Sequence, residues 1–194
     1  LSASTWRPEP ADAGRPPGGG TEVIPAAVLV PLYELGGATR LILTRRRADL
    51  RSHAGEISFP GGRRDAGDAD LAETALREAE EEIGLVRSHV SLLGELPPTS
   101  TFVTGYVIHP FVGSIPAGLA WTVSEREVEA VLDLSLEEVR ASRTRTLIKR
   151  RGFTFETDAY VLGEQVIWGA TARIIENLLE RLAAGLPGAP MGDP

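Results

Sequence analysis

Two hydrophobic periods run along the chain, and each predicts a different element. Pro25 to Leu35 is apolar at nearly every position, as in a strand buried on both faces, and Thr39 to Thr44 repeats the pattern more briefly. Gly36-Gly37 between them predicts a hairpin turn. Glu56-Ile57-Ser58-Phe59 reads as a short strand, and Pro60-Gly61-Gly62 is expected to end regular structure and open a tight loop. From Asp68 to Ile83 the period changes to that of a helix, with Gly84 as its C-terminal stop. Further strands are expected at Val90 to Leu96, Tyr106 to Ile115, Val128 to Leu134, Thr144 to Ile148, Phe153 to Tyr160 and near Val166. Ser135 to Arg140 reads as a short helix with Ser135 and Glu138 as a capping box.

The last helix runs from about Ala170 to Ala184, with Ile174, Ile175, Leu178, Leu179 and Leu182 as its apolar stripe and Gly185 closing it. Its stripe is expected on one face of a mixed sheet and the Asp68 helix on the other. Residues 1–22 and 186–194 are rich in turn formers and read as a flexible lead-in and tail, leaving one domain at 23–185.

Composition narrows the function classes. The 194 residues suit one domain, and 42% hydrophobic content supports a sizeable core. A net charge of −7, from 20 basic and 27 acidic residues, argues against general coating of nucleic acid. With no Cys, disulfides, thiolate nucleophiles and cysteine metal sites are excluded. No run is long and apolar enough for a membrane helix and no secretory pattern opens the sequence, so no membrane partner is expected and a cytoplasmic location is the default. The expected partner is a small molecule.

On a wheel of about 100° per residue, Ala72, Ala75, Leu76, Ala79 and Ile83 form one apolar stripe facing the sheet. Glu78 and Glu82 fall side by side at its border, with Glu81 nearby, whereas Glu73 and Glu80 point toward water. A Glu-rich helix is usually a solvated face. Here three carboxylates crowd an apolar seam, and like charges four residues apart destabilise a helix. A cation is therefore called for, and an all-oxygen set suits Mg²⁺ or Mn²⁺. Arg77 is placed to pair with these carboxylates and fix their rotamers, an organising residue and not a nucleophile.

Gly62 followed by Arg77-Glu78-Ala79-Glu80-Glu81-Glu82-Ile83-Gly84-Leu85 resembles the Nudix box, whose second half is Arg-Glu-U-x-Glu-Glu-x-Gly-U with U apolar. Its first half departs from the pattern: the spacing from Gly62 to Arg77 is one residue longer, and Asp68 stands where an early Glu is expected. Asp68 and Asp70 are the candidates for that Glu's structural place. The resemblance implies an α/β/α sandwich with a mixed central sheet. It also implies that Glu78 and Glu82 are the principal metal ligands, with Glu81 a further ligand or the water-activating base, and that a backbone carbonyl near Gly62 joins them. Glu125 or Glu127 remains open as an alternative base.

The stretch Leu50-Arg51-Ser52-His53-Ala54-Gly55 through Phe59-Pro60-Gly61-Gly62, entered from the arginines at 45–47, resembles the coenzyme A diphosphatase branch of that family. Thr104-Gly105-Tyr106 with Pro110, and Ile167-Trp168-Gly169 with Thr171-Ala172, are compatible with it, so the resemblance covers most of residues 25 to 180. It implies hydrolysis of coenzyme A or its thioesters. Arg45, Arg46, Arg47 and Arg51 concentrate positive charge for such a polyanion, but strand alternation sends Arg46 to the opposite face from Arg45 and Arg47. Substrate contact is expected of Arg45, Arg47, Arg51, His53 and Gly61; His53 could bind phosphate, carry a proton or order its loop. His89 and His109 read as structural. Two rival readings stand: the same chemistry on ADP-ribose, a dinucleotide or another nucleoside diphosphate derivative, and a Nudix-fold binding module without catalysis.

Overall fold

The computed structural model describes residues 24–49, 55–101, 105–150 and 152–185. The lead-in expected at 1–22 and the tail at 186–194 therefore lie outside the described residues. The central element is β1 (Ile24–Leu35), which turns at Gly36-Gly37 into antiparallel β2 (Ala38–Arg46). Both turn glycines have positive φ, +60° and +81°, which a two-residue hairpin turn of the type I′ kind requires. The sheet continues with β3 (Ile57–Ser58) against β2, β4 (Gly61–Arg63) against β1, β5 (Ser91–Glu95) and β6 (Thr99–Ser100) against β7 (Tyr106–Ser114), and β8 (Val128–Ser135) against β2. β1 and β7 are parallel and the other pairs antiparallel, so this eight-stranded sheet is mixed.

Alternation along β1 and β2 separates two cores. Ala27, Leu29 and Ile42 face α1 (Leu71–Ile83), against Ala75, Ala79 and Ile83. Val28, Val30, Leu32, Leu41 and Leu43 face α3 (Gly169–Gly185), against Ile174, Ile175 and Leu178. Each fully buried Leu or Ile contributes about 2–3 kcal/mol, so both helices are pinned and the α/β/α sandwich with a mixed sheet is the fold observed. On the α3 side a second sheet joins, formed by β9 (Arg143–Arg150), β10 (Phe153–Leu162) and β11 (Gln165–Trp168). Sequence periodicity finds these three strands without showing that they form a sheet of their own.

Three local expectations need correction. Gly61 and Gly62 do not end regular structure, because β4 pairs with Ala26–Val28. The glycines serve close approach: a Cβ on Gly61 would stand 2.6 Å from the Val28 Cα. α1 begins at Leu71, not Asp68, with the Asp70 carboxylate accepting from the Glu73 N–H at 2.8 Å as N-cap. Ser135 precedes α2 (Leu136–Ala141) but makes no side-chain cap, since it is buried at the end of β8 beside Arg40.

Candidate active site

α1 carries its acidic residues where the wheel predicts. Glu82 is 4% exposed, at the border of the core that contains Ala79 and Ile83. Its Oε2 accepts from the Gly61 N–H at 3.3 Å, and its Oε1 lies 3.4 Å from Arg46 Nη1. One turn earlier, Glu78 packs over Gly62, where a Cβ would stand 2.5 Å from the Glu78 Cδ. Gly62 is thus the floor on which that carboxylate rests. Glu81 is outermost, with its side chain 60% exposed, and its Oε2 lies 3.3 Å from Arg77 Nη1. Glu73 and Glu80 sit on the outer side as expected, but both are tied to Arg87, at 3.5 and 2.8 Å.

Arg77 organises this helix face. Its Nε and Nη2 donate to the two oxygens of Asp68 at 2.9 and 3.1 Å, Nη2 also donates to the Arg63 carbonyl, and Nη1 approaches Glu78 Oε1 at 3.1 Å. Asp68 accepts in addition from the Thr74 hydroxyl at 2.8 Å and the Asp65 N–H at 2.9 Å. Of the two candidates for the early acidic place, Asp68 is the one that meets Arg77, while Asp70 is spent on the helix cap. The Arg77 guanidinium holds the Asp68 carboxyl well below the usual carboxylate range, and Asp68 in turn holds Arg77 charged.

Electrostatics differ at the other end of the site. Burial pushes the Glu82 carboxyl up to about 8; Arg46 opposes the shift, and the Glu78 charge adds to it. Burial also raises Glu78, against the pull of Arg77. Two adjacent carboxylates that resist ionising in their own protein are a donor set that gains from a divalent cation. In the arrangement described, the carboxylates point at arginines, and among the described residues no three acidic or histidine side chains converge as a preformed cation cage. The residues nonetheless fit such an ion by chemistry: all-oxygen donors at Glu78 and Glu82, Glu81 one step outward, and the Gly62 backbone directly under the Glu78 carboxylate.

The basic run divides as alternation requires. Arg45 reaches Glu129 at 3.8 Å, and Arg47 forms a bidentate pair with Asp49 at 2.8 Å and donates to the Glu125 carbonyl at 2.7 Å. Arg46, set apart from the expected substrate contacts, is the member that reaches the acidic helix, with Glu127 Oε2 3.4 Å from its Nη2. The signal for it was present in the sequence: Ile42, Thr44 and Arg46 alternate onto one face of β2, and Ile42 packs toward α1. Arg51 and His53 lie outside the described residues. His109 pairs with Glu95 at 2.7 Å.

The model of the NUDIX domain family matches residues 23–154, which include β4 and α1 with its carboxylates. The chain belongs to the Nudix family. Nudix hydrolases act on diphosphate-containing compounds and generally use divalent metal ions, so the chain is a diphosphatase by class. A relative from Yersinia pestis (strain Pestoides F), the functionally uncharacterized Nudix hydrolase NudL, is 40% identical over 160 residues, covering 81% of this chain and 79% of its own. Among solved structures, the Nudix hydrolase RenU of M. smegmatis superposes with a TM-score of 0.60 at 17% identity, over 86% of this chain and 89% of its own. The NUDIX domain of Shewanella oneidensis NrtR, solved with ADP ribose, gives 0.58 at 17% identity, over 88% and 95%. Such similarity supports the fold alone. No described helix is long and apolar enough to cross a membrane.

Proposed function

We propose that this Nudix hydrolase cleaves the diphosphate of coenzyme A or its thioesters, giving 3′-phospho-AMP and 4′-phosphopantetheine or its acyl derivative, with Mg²⁺ or Mn²⁺ and in the cytoplasm. The observation that carries the hydrolytic part is the seating of the Glu78 carboxylate over Gly62 beside buried Glu82. The substrate part rests on the Leu50 to Gly62 sequence, with Arg45, Arg47, Arg51, His53 and Gly61 as the substrate-side residues.

Glu78 and Glu82 would hold the metal, with Glu81 and the Gly62 carbonyl as further donors. When bound, the metal neutralises charge on the non-bridging oxygens and lowers the pKa of the attacking water. Arg77, fixed by Asp68, holds Glu78 and Glu81 in orientation. Glu81, the most exposed of the three, is the first candidate base for the water, and Glu125 or Glu127, the latter beside Arg46, is the alternative from the loop. The Gly61 N–H holds Glu82 from the strand side. A metal-supplemented assay over coenzyme A, acyl derivatives and ADP-ribose, with product identification, tests the reading. Preference for coenzyme A with 3′-phospho-AMP as product supports it; comparable rates on ADP-ribose would reject the narrow substrate, and binding without turnover would reject catalysis.

A further inference from the structure

The acidic face of α1 is met by two arginines that are held very differently. Arg77 is clamped: Asp68 takes it through two nitrogens and the Arg63 carbonyl through a third contact, so it keeps its place whatever happens at Glu78 and Glu81. Among the described residues Arg46 has no such anchor. Its guanidinium meets Glu82 and Glu127 through one contact each, both at 3.4 Å, the long end for a charge-assisted hydrogen bond. Glu127 is itself half exposed on a loop, and Arg46 occupies the last position of β2. Its neighbours Arg45 and Arg47 are engaged with Glu129, Asp49 and Glu125, so within the described part of the run Arg46 alone faces α1.

Arg46 is the cation that faces buried Glu82, and of the two arginines on this face it is the one that can leave. We propose that Arg46 is a displaceable cation: it occupies the oxygens of Glu82 and Glu127 until a divalent ion binds, yields its place to that ion, and so sets metal affinity by competition. The inference rests on the reading of Glu78 and Glu82 as metal-holding residues. Removing the guanidinium takes away both a competitor for the Glu82 oxygen and a repelling charge, and the two effects act in the same direction. Calorimetric titration of Mn²⁺ into the full chain without substrate tests it. Arg46→Met should bind Mn²⁺ about tenfold more tightly than wild type, the scale of two weak ion pairs lost together. Its thermal midpoint before metal addition should fall, and the rise on adding Mn²⁺ should exceed that of wild type. Arg46→Lys, which keeps the charge but loses the two-armed reach, should fall between them and serves if the Met variant does not fold. Equal or weaker Mn²⁺ binding in both variants would overturn the inference while leaving the functional reading intact. Failure of wild type to bind Mn²⁺ or to hydrolyse any diphosphate would overturn both.

Discussion

Replacing Asp68 with Ala should cost more stability than its place in a loop suggests. The carboxylate is 4% exposed and takes four hydrogen bonds: two from Arg77, one from the Thr74 hydroxyl and one from the Asp65 N–H. Breaking a buried ion pair from one side costs about 3–5 kcal/mol, because the remaining charge is left uncompensated. Arg77 would keep Glu78, Glu81 and the Arg63 carbonyl, which places Asp68→Ala near the lower end, at about 3 kcal/mol. For a domain of this size that lowers the thermal midpoint by about 6–12 °C. Urea unfolding and thermal melts followed by circular dichroism would measure both. The pH dependence supplies a second check. Arg77 depresses the folded-state pKa of Asp68 below the ordinary 3.8, so its stabilisation is complete above that value and is lost as pH falls further. The gap between wild type and variant should therefore narrow steadily in acid below 3.8. A loss under about 1 kcal/mol at neutral pH, or a gap that stays constant into strong acid, would refute the assignment of Asp68 as the anchor of Arg77.

The glycines of β4 should respond oppositely to alanine. A Cβ at Gly61 meets the Val28 backbone, so Gly61→Ala should lose about 1–3 kcal/mol in denaturant unfolding. At Gly62 the three atoms nearest the added carbon all belong to the Glu78 carboxylate, the far end of a flexible side chain, so Gly62→Ala should keep most of its stability yet lose about a hundredfold in kcat/KM. Glu82→Gln should lower metal-dependent turnover by about a thousandfold, read in a diphosphate-hydrolysis assay with the fold checked by circular dichroism. The same variant removes a pH dependence between 4.5 and about 8. Because burial raises the Glu82 carboxyl from 4.5 to about 8, its protonated form favours folding, and that contribution declines as pH rises to about 8. In chelator, wild-type stability should decline over that window more steeply than that of Glu82→Gln, which keeps only the contribution of raised Glu78.

What could be read in advance separates by physical cause. Burial follows period, and period is local, so the two faces of β1, the stripe of α3 and the side-by-side carboxylates of α1 follow from spacing alone. Orientation about the axis of α1 also sets Glu80 apart from Glu78 and Glu82 despite its lying within a run of three glutamates, and it pairs with Arg87 on the outer side. Glycine is less transparent. Pro60-Gly61-Gly62 has the composition of a break, yet β4 forms there because the missing side chains let it approach β1 and seat Glu78, and composition does not distinguish these uses. Capping shows the same ambiguity. Asp68 and Asp70 are both suitable N-caps; the choice between them depends on Arg77, which lies two turns along the helix and draws Asp68 away.

The arginine run illustrates the remaining gap, that between direction and partner. Alternation separates Arg46 from Arg45 and Arg47, and the structure keeps that separation. Which face matters is fixed only once α1 is known to cover the Ile42 side of β2, a tertiary fact. Counting positive charge near the motif does not separate these arginines by what each already holds. An arginine already saturated by a neighbouring carboxylate, as Arg47 is by Asp49, has to break a bidentate pair before it can meet a phosphate. An arginine on two long contacts beside a buried carboxylate has little to break, and it is there that a small change in side-chain charge should be felt most by an arriving cation.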